Sequence, residues 1–281
     1  MSRPDTQQPI EQHRGHTPPD SGWFATKVPE ATALFWITKL LTTGMGESAS
    51  DFLVHHFAPA AAVAAGFVAF SVALALQLRA HRYVPAIYWF TVAMVGVFGT
   101  MAADVLHVGL HVPYVASAIF FSVTLAAVFA TWQATEHTLS IHSIDTPGRE
   151  LFYWAAVVTT FALGTAAGDV AAITVHLGYL SAGLAFAAAI AIPAAAYRWL
   201  HLNAIAAFWI AYILTRPLGA SFADWMGVAR SRGGLALGPG PVSLTLAVII
   251  SALVIVLSTR RRAVARATDR EPGVLSENGI S

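Results

Sequence analysis

The chain has 281 residues, of which 56% are hydrophobic and 11% charged, and a mean hydropathy of +0.62, a composition far from the soluble average that reads as an integral membrane protein. Its formal net charge of +1, with the basic residues mostly in loops and tails, gives no nucleic-acid footprint. The absence of Cys excludes disulfides and thiolate metal sites.

Residues 1–29 are polar and Pro-bearing, without the apolar core of a signal peptide, and are expected to form a flexible cytoplasmic tail. Eight apolar segments follow, at about 31–54, 59–79, 85–108, 113–134, 151–173, 177–198, 203–226 and 240–259. Each is near the ~20 residues needed to cross a bilayer core of ~30 Å. The predicted fold is an all-α polytopic membrane domain over 30–259, made of four two-helix hairpins at about 30–82, 83–136, 150–200 and 201–259. A polar linker at 133–150, with Asp145, Pro147 and Gly148, divides the first two from the last two. Each unit crosses an even number of times, so the four repeats are parallel rather than inverted. Residues 260–281 open on a stop-transfer Arg cluster and are expected to continue as a disordered cytoplasmic tail.

The first helix of every unit carries one pattern, a Trp with an Asp fifteen residues later and a Gly five before the Asp. The copies are Trp36, Gly46, Asp51; Trp89, Gly99, Asp104; Trp154, Gly164, Asp169; and Trp209, Gly219, Asp224. Each Gly is followed four residues on by a small residue, Ser50, Ala103, Gly168 or Ala223, the spacing that lets helix backbones approach closely in lipid. The Asp lies beside that seam, so packing the four helices along it brings four carboxylates inward. The Trp residues, with Trp23, Trp132, Trp199 and Trp225, read as interfacial anchors or seam packing.

Lys and Arg gather at both termini and in the loops after the second, fourth and sixth segments, while the opposite loops hold only Arg230 and Arg232. The positive-inside rule then puts both termini in the cytoplasm and each Asp in the outer part of the membrane, roughly 22 Å from its Trp by helical rise. The chain resembles a bacterial membrane-protein family defined by a repeat of unknown function, with four tandem units of two transmembrane segments and a characteristic Trp. The resemblance covers about residues 27–258 and implies an architecture in a bacterial inner membrane, but no activity.

The chemistry is therefore read from the residues. One turn before the Asp positions stand Glu47, Thr100, Thr165 and Ala220, placing oxygen donors beside Asp51, Asp104 and Asp169. Such donors suit hard cations. Lys39 and Arg216 fall inside the membrane and face this acidic set, either neutralising two carboxylates or exchanging partners as ions or protons come and go. Pro217 is expected to kink or break its helix next to Arg216. His55 and His107, at helical spacing from Asp51 and Asp104, are candidate metal ligands or hydrated loop groups.

No phosphate-binding loop, dinucleotide fingerprint, nucleophile elbow or His-Glu-x-x-His motif is present, so enzymatic activity is not expected. The sequence favours a secondary transporter of a small cation, a divalent metal such as Mn²⁺ as substrate, in exchange for protons. Its alternatives are a passive channel with an acidic ring and a non-transporting membrane scaffold. The expected partners are the lipid bilayer, a small cation and further copies of the chain. A simpler account of the Asp residues is that each is a solvated helix end.

Overall fold

The structure is a computed structural model and describes residues 26–268. Eight long helices carry the fold: α1 (Ala33–His56), α2 (Pro59–Arg79), α3 (Pro85–Asp104), α4 (Tyr114–Glu136), α5 (Pro147–Asp169), α6 (Tyr179–Trp199), α7 (Ala204–Gly227) and α8 (Pro239–Thr268). No strand occurs among the described residues. Their starts follow helix-initiation chemistry. Thr32, Thr146 and Asn203 accept hydrogen bonds from first-turn N–H groups, and Pro59, Pro85 and Pro147 occupy the first turn, where no intrahelical donor is needed.

Helices α1, α3, α5 and α7 form a closed inner ring, each packed on the next and α7 on α1. The repeat pattern closes it at two levels. At one end Phe35 meets Trp89, Tyr88 meets Trp154, Tyr153 meets Trp209 and Phe208 meets Trp36, with ring centroids 5.7, 5.6, 6.1 and 5.5 Å apart. Nearer the Asp end, each repeat glycine faces the residue eight before the Asp of the next helix. A Cβ on Gly46 would lie 2.7 Å from the Gly96 backbone, and one on Gly99 2.9 Å from Phe161 Cβ. A Cβ on Gly164 would collide with the Arg216 side chain, and one on Gly219 with Thr43 Oγ1. The seam read from small residues is therefore a four-step cycle of backbone-close contacts.

The outer helices follow a rule that hairpin pairing does not give. Each packs chiefly on the first helix of the following repeat, α2 on α3, α4 on α5 and α6 on α7, while α8 returns to α1. Successive repeats thus interlock, and the ring closes through the last helix. The outer faces present large apolar side chains such as Phe67, Phe120, Val123, Leu184, Ile192, Leu244 and Val248. Seven of the eight helices are long and apolar enough to cross a membrane, which makes this a membrane protein. The exception is α1, whose Thr38, Lys39, Thr42, Thr43, Glu47, Ser48 and Ser50 are buried against protein.

The N-terminal tail does not extend through residue 29. Val28 is in the core, the Lys27 N–H donates to Ile144 O over 3.1 Å, and Lys27 Nζ donates to Glu150 over 2.6 Å. The rest of that tail, including Trp23, and the C-terminal tail from residue 269 lie outside the described residues, while α8 stays helical to Thr268 instead of ending near 259. The linker at 133–150 is docked, because Ile141 and Ile144 enter the core and Leu139 O accepts from Trp209 Nε1. Finally, α7 is continuous through Pro217, so the expected break is absent there. Irregular helix occurs instead as π-helical turns directly after Asp104 (Val105–Gly109) and Asp169 (Val170–Thr174).

Candidate functional site

The repeat register stacks equivalent residues in tiers along the inner ring. Near the Trp end the stack is aromatic and apolar. Trp89, Trp154 and Trp209 are buried and Trp36 is half-buried, so the repeat Trp residues serve chiefly as seam packing rather than as interfacial anchors. Of the remaining Trp residues, Trp132 is fully buried in the same cluster, Trp199 is exposed and Trp225 is half-buried. The hydroxyls of Tyr88 and Tyr153 share a hydrogen bond of 2.5 Å between neighbouring helices.

Toward the middle the two intramembrane cations appear. Lys39 Nζ has no hydrogen-bond partner among the described residues and lies 3.6 Å from the centroid of Tyr212 and 5.0 Å from that of Phe161, a cation–π niche. Phe161 also faces Arg216, whose Cζ is 5.2 Å from its centroid. Lys39 is therefore not the partner of any carboxylate among the described residues, which removes one of the two neutralising roles expected for the cations.

Arg216 is the hub. It is fully buried, and its Nη2 donates to Glu47 over 2.6 Å, to Thr165 Oγ1 over 2.8 Å and, in a short contact, to Thr100 Oγ1. Thr100 in turn donates to Glu47 over 3.3 Å. Glu47, Thr100 and Thr165 occupy the same position in the first three repeats, so one nitrogen is held by three repeat-equivalent oxygens. The fourth equivalent, Ala220, has no donor or acceptor side chain and is buried. An ion pair in this setting needs such added hydrogen bonds to offset the loss of water.

Beyond this hub lies the Asp tier, all four members half-buried. It is not fourfold. Among the described residues, one set of three potential ligands converges, Asp104, His107 and Asp169, with one atom from each within 4.8 Å of the others. Asp51 and Asp224 instead line a cavity of about 280 Å³ together with Ser48, His55, His56 and Arg232. His55 is exposed, and its Nδ1 lies 2.6 Å from the Asp51 backbone carbonyl rather than against a carboxylate. The acids expected from spacing thus stand in two unlike settings, and the segments that follow them differ in the same way: α-helix after Asp51 and Asp224, π turns after Asp104 and Asp169.

A larger apolar crevice of about 660 Å³, between α1, α6, α7 and the 139–142 segment, contains none of the acids. Two further features escaped the sequence reading. Glu150, a linker residue by composition, is buried with Lys27 and accepts from Gln77 Nε2 over 3.1 Å. The loop residues His111, His137, His176 and His201 all have φ between 55° and 62°, a left-handed backbone that His tolerates better than most side chains, so their recurrence reflects chain reversal.

The sequence model of one family matches this chain four times, at residues 34–83, 87–138, 152–202 and 207–263, and is described as a Repeat of Unknown Function (DUF347). Neither a curated protein nor a solved structure matches it.

Proposed function

The chain belongs to that repeat family, whose description gives no activity, and from the geometry of the inner ring we propose that it is a secondary transporter of a small divalent cation, with protons as the counter-moving ion. The observation that carries this reading is the order of groups along the ring. Four Asp residues stand outside a buried Glu47–Arg216 pair, and an aromatic layer closes the other end. A cation drawn in by the Asp tier meets Glu47 already held by Arg216, so it must compete with a tethered cation. Proton uptake by the carboxylates is the complementary way to release it. Competition of this kind makes occupancy by substrate and by Arg216 alternatives, which is what a carrier requires.

A passive channel is the weaker reading. A guanidinium held by Glu47, Thr100 and Thr165 puts positive charge in the middle of the ring, where a cation-selective pore needs acceptors. The proposal also takes the two ends of the chain as cytoplasmic, in a bacterial inner membrane, on the strength of the Arg distribution.

The test is radiotracer flux in proteoliposomes across a panel of divalent cations, with a pH gradient imposed or collapsed. Saturable flux that responds to the gradient is the expected result. Flux that rises linearly with concentration and ignores the gradient supports the channel, and no flux for any cation removes both readings.

A further inference from the structure

His107 has a setting that the transport reading leaves unused. Its side chain is 2% exposed, yet neither ring nitrogen has a hydrogen-bond partner among the described residues. A buried imidazole with two idle nitrogens is costly unless something occupies one of them. The ring is held edge-on by Tyr114 at the start of α4, with centroids 4.6 Å apart, and its Nδ1 lies 3.7 Å from Asp169 Oδ2 across the interface between two repeats. Asp104, at the end of the same helix, completes the set within 4.8 Å.

The π turn Val105–Gly109 is what presents His107 in this way. Such turns widen the helix for one step and recur at functional sites. The matching turn after Asp169 puts Ala172 at the same distance from its Asp, and the first and fourth repeats have Val54 and Gly227 there. Repeat 2 alone supplies a nitrogen.

We infer that Asp104, His107 and Asp169 form a binding site for a first-row divalent transition metal, and that this class, rather than Mg²⁺ or Ca²⁺, is the cation the protein moves. The donor chemistry carries the choice. Mg²⁺ and Ca²⁺ take oxygen ligands, whereas imidazole beside carboxylate suits Mn²⁺, Fe²⁺, Co²⁺, Ni²⁺ and Zn²⁺. Ligands at about 2.0–2.2 Å from a common ion lie roughly 3–3.5 Å apart, so a small inward rotation of the carboxylates closes the set. Three protein ligands leave a position open to water, which suits an ion that must depart. The binding claim stands alone; the claim about the transported ion rests on the transport reading above.

The experiment titrates Co²⁺ into the tag-free, detergent-purified full chain and follows its visible d–d absorption, whose position and intensity change when the hydrated ion takes protein ligands, with Mg²⁺ as competitor. One Co²⁺ per chain should bind, unaffected by excess Mg²⁺. His107→Gln should weaken it by more than about tenfold, the least effect seen when even an indirect metal contact is lost. Asp169→Asn should also weaken it, while His176→Ala, an exposed outer histidine, should not change it. Co²⁺ binding that survives both His107→Gln and Asp169→Asn, or that Mg²⁺ displaces at similar concentration, overturns the site. Since this readout is equilibrium binding, a chain that binds Co²⁺ but moves no cation retains the site and loses the transport reading. A chain that moves cations but binds Co²⁺ without His107 does the reverse.

Discussion

The two ends of the inner ring are built from the same four helices, yet they hold different things constant between repeats. At the Trp end the repeats substitute within a class, Phe35, Tyr88, Tyr153 and Phe208 beside four Trp, and the contacts close in a uniform cycle. At the Asp end the acids are identical, but the tiers beneath them diverge: Glu47, Thr100, Thr165 and Ala220, then Thr43, Gly96, Phe161 and Arg216. A packing layer needs volume and apolar surface, which several aromatics supply equally. A layer that binds a charged group needs each position to do something different. Uniformity therefore marks scaffold and divergence marks chemistry, and mutations at the two ends should separate stability from activity.

The largest expected effect is at the boundary between the ends. Gly164→Leu would drive a branched side chain into Arg216 and the Pro217 ring, where Arg216 Cβ and Cγ already occupy the space that even a Cβ would need. It should abolish assembly of the inner ring, read as loss of monodisperse protein on size-exclusion chromatography. Wild-type thermal stability in that variant would show that the seam is looser than its geometry.

Next is the buried ion pair. Arg216→Gln leaves Glu47 buried with fewer donors, and breaking such a pair by removing one partner costs about 3–5 kcal/mol. The double variant Arg216→Gln, Glu47→Gln should recover much of that loss, since no uncompensated charge remains. Thermal unfolding of the three proteins checks this. Equal destabilisation in single and double variants would mean that Arg216 acts through packing on Phe161 rather than through Glu47.

The Asp tier should behave in the opposite manner. Asp104→Asn and Asp169→Asn preserve shape and remove charge from half-buried positions that face no Lys or Arg partner within salt-bridge distance among the described residues. Each should abolish cation flux while changing stability by less than about 1 kcal/mol. Flux within a small factor of wild type in both would return the Asp residues to the status of solvated helix ends.

Much of this architecture was legible in the sequence because it is written in spacing. The Trp-to-Asp interval located four helices in register, and the Gly with its small neighbour four residues on located their seam. Partner choice was not legible. Nothing in the α2 or α4 sequences says that each packs on the next repeat, since uniformly apolar surfaces carry little directional information. The Glu47–Arg216 pair joins residues of the first and last repeats, a contact that exists only because the ring closes. The difference between the settings of the two Asp pairs was hidden for another reason. It goes with π turns after Asp104 and Asp169, and the Val, Ala and Leu residues there give no signal distinguishing a π turn from a continuing α-helix. Pro217, the one obvious helix breaker near the site, proved compatible with an unbroken α7.

The smallest effect tests the Trp end by itself. Trp154→Phe keeps an aromatic ring in the layer between Tyr88 and Tyr153 and removes only the outer part of the indole, whose Nε1 makes no hydrogen bond that would be lost. The cost should be the packing of a few atoms, about 1 kcal/mol, visible as a drop of a few degrees in Tm. Because the layer lies far along the ring from the acids, both Co²⁺ binding and flux at a temperature well below Tm should match wild type. Trp199→Phe, exposed at the end of α6, should change neither property. If Trp154→Phe instead lowers flux with its Tm nearly intact, the aromatic layer moves during transport, and the separation of the ring into a fixed end and a reactive end no longer holds.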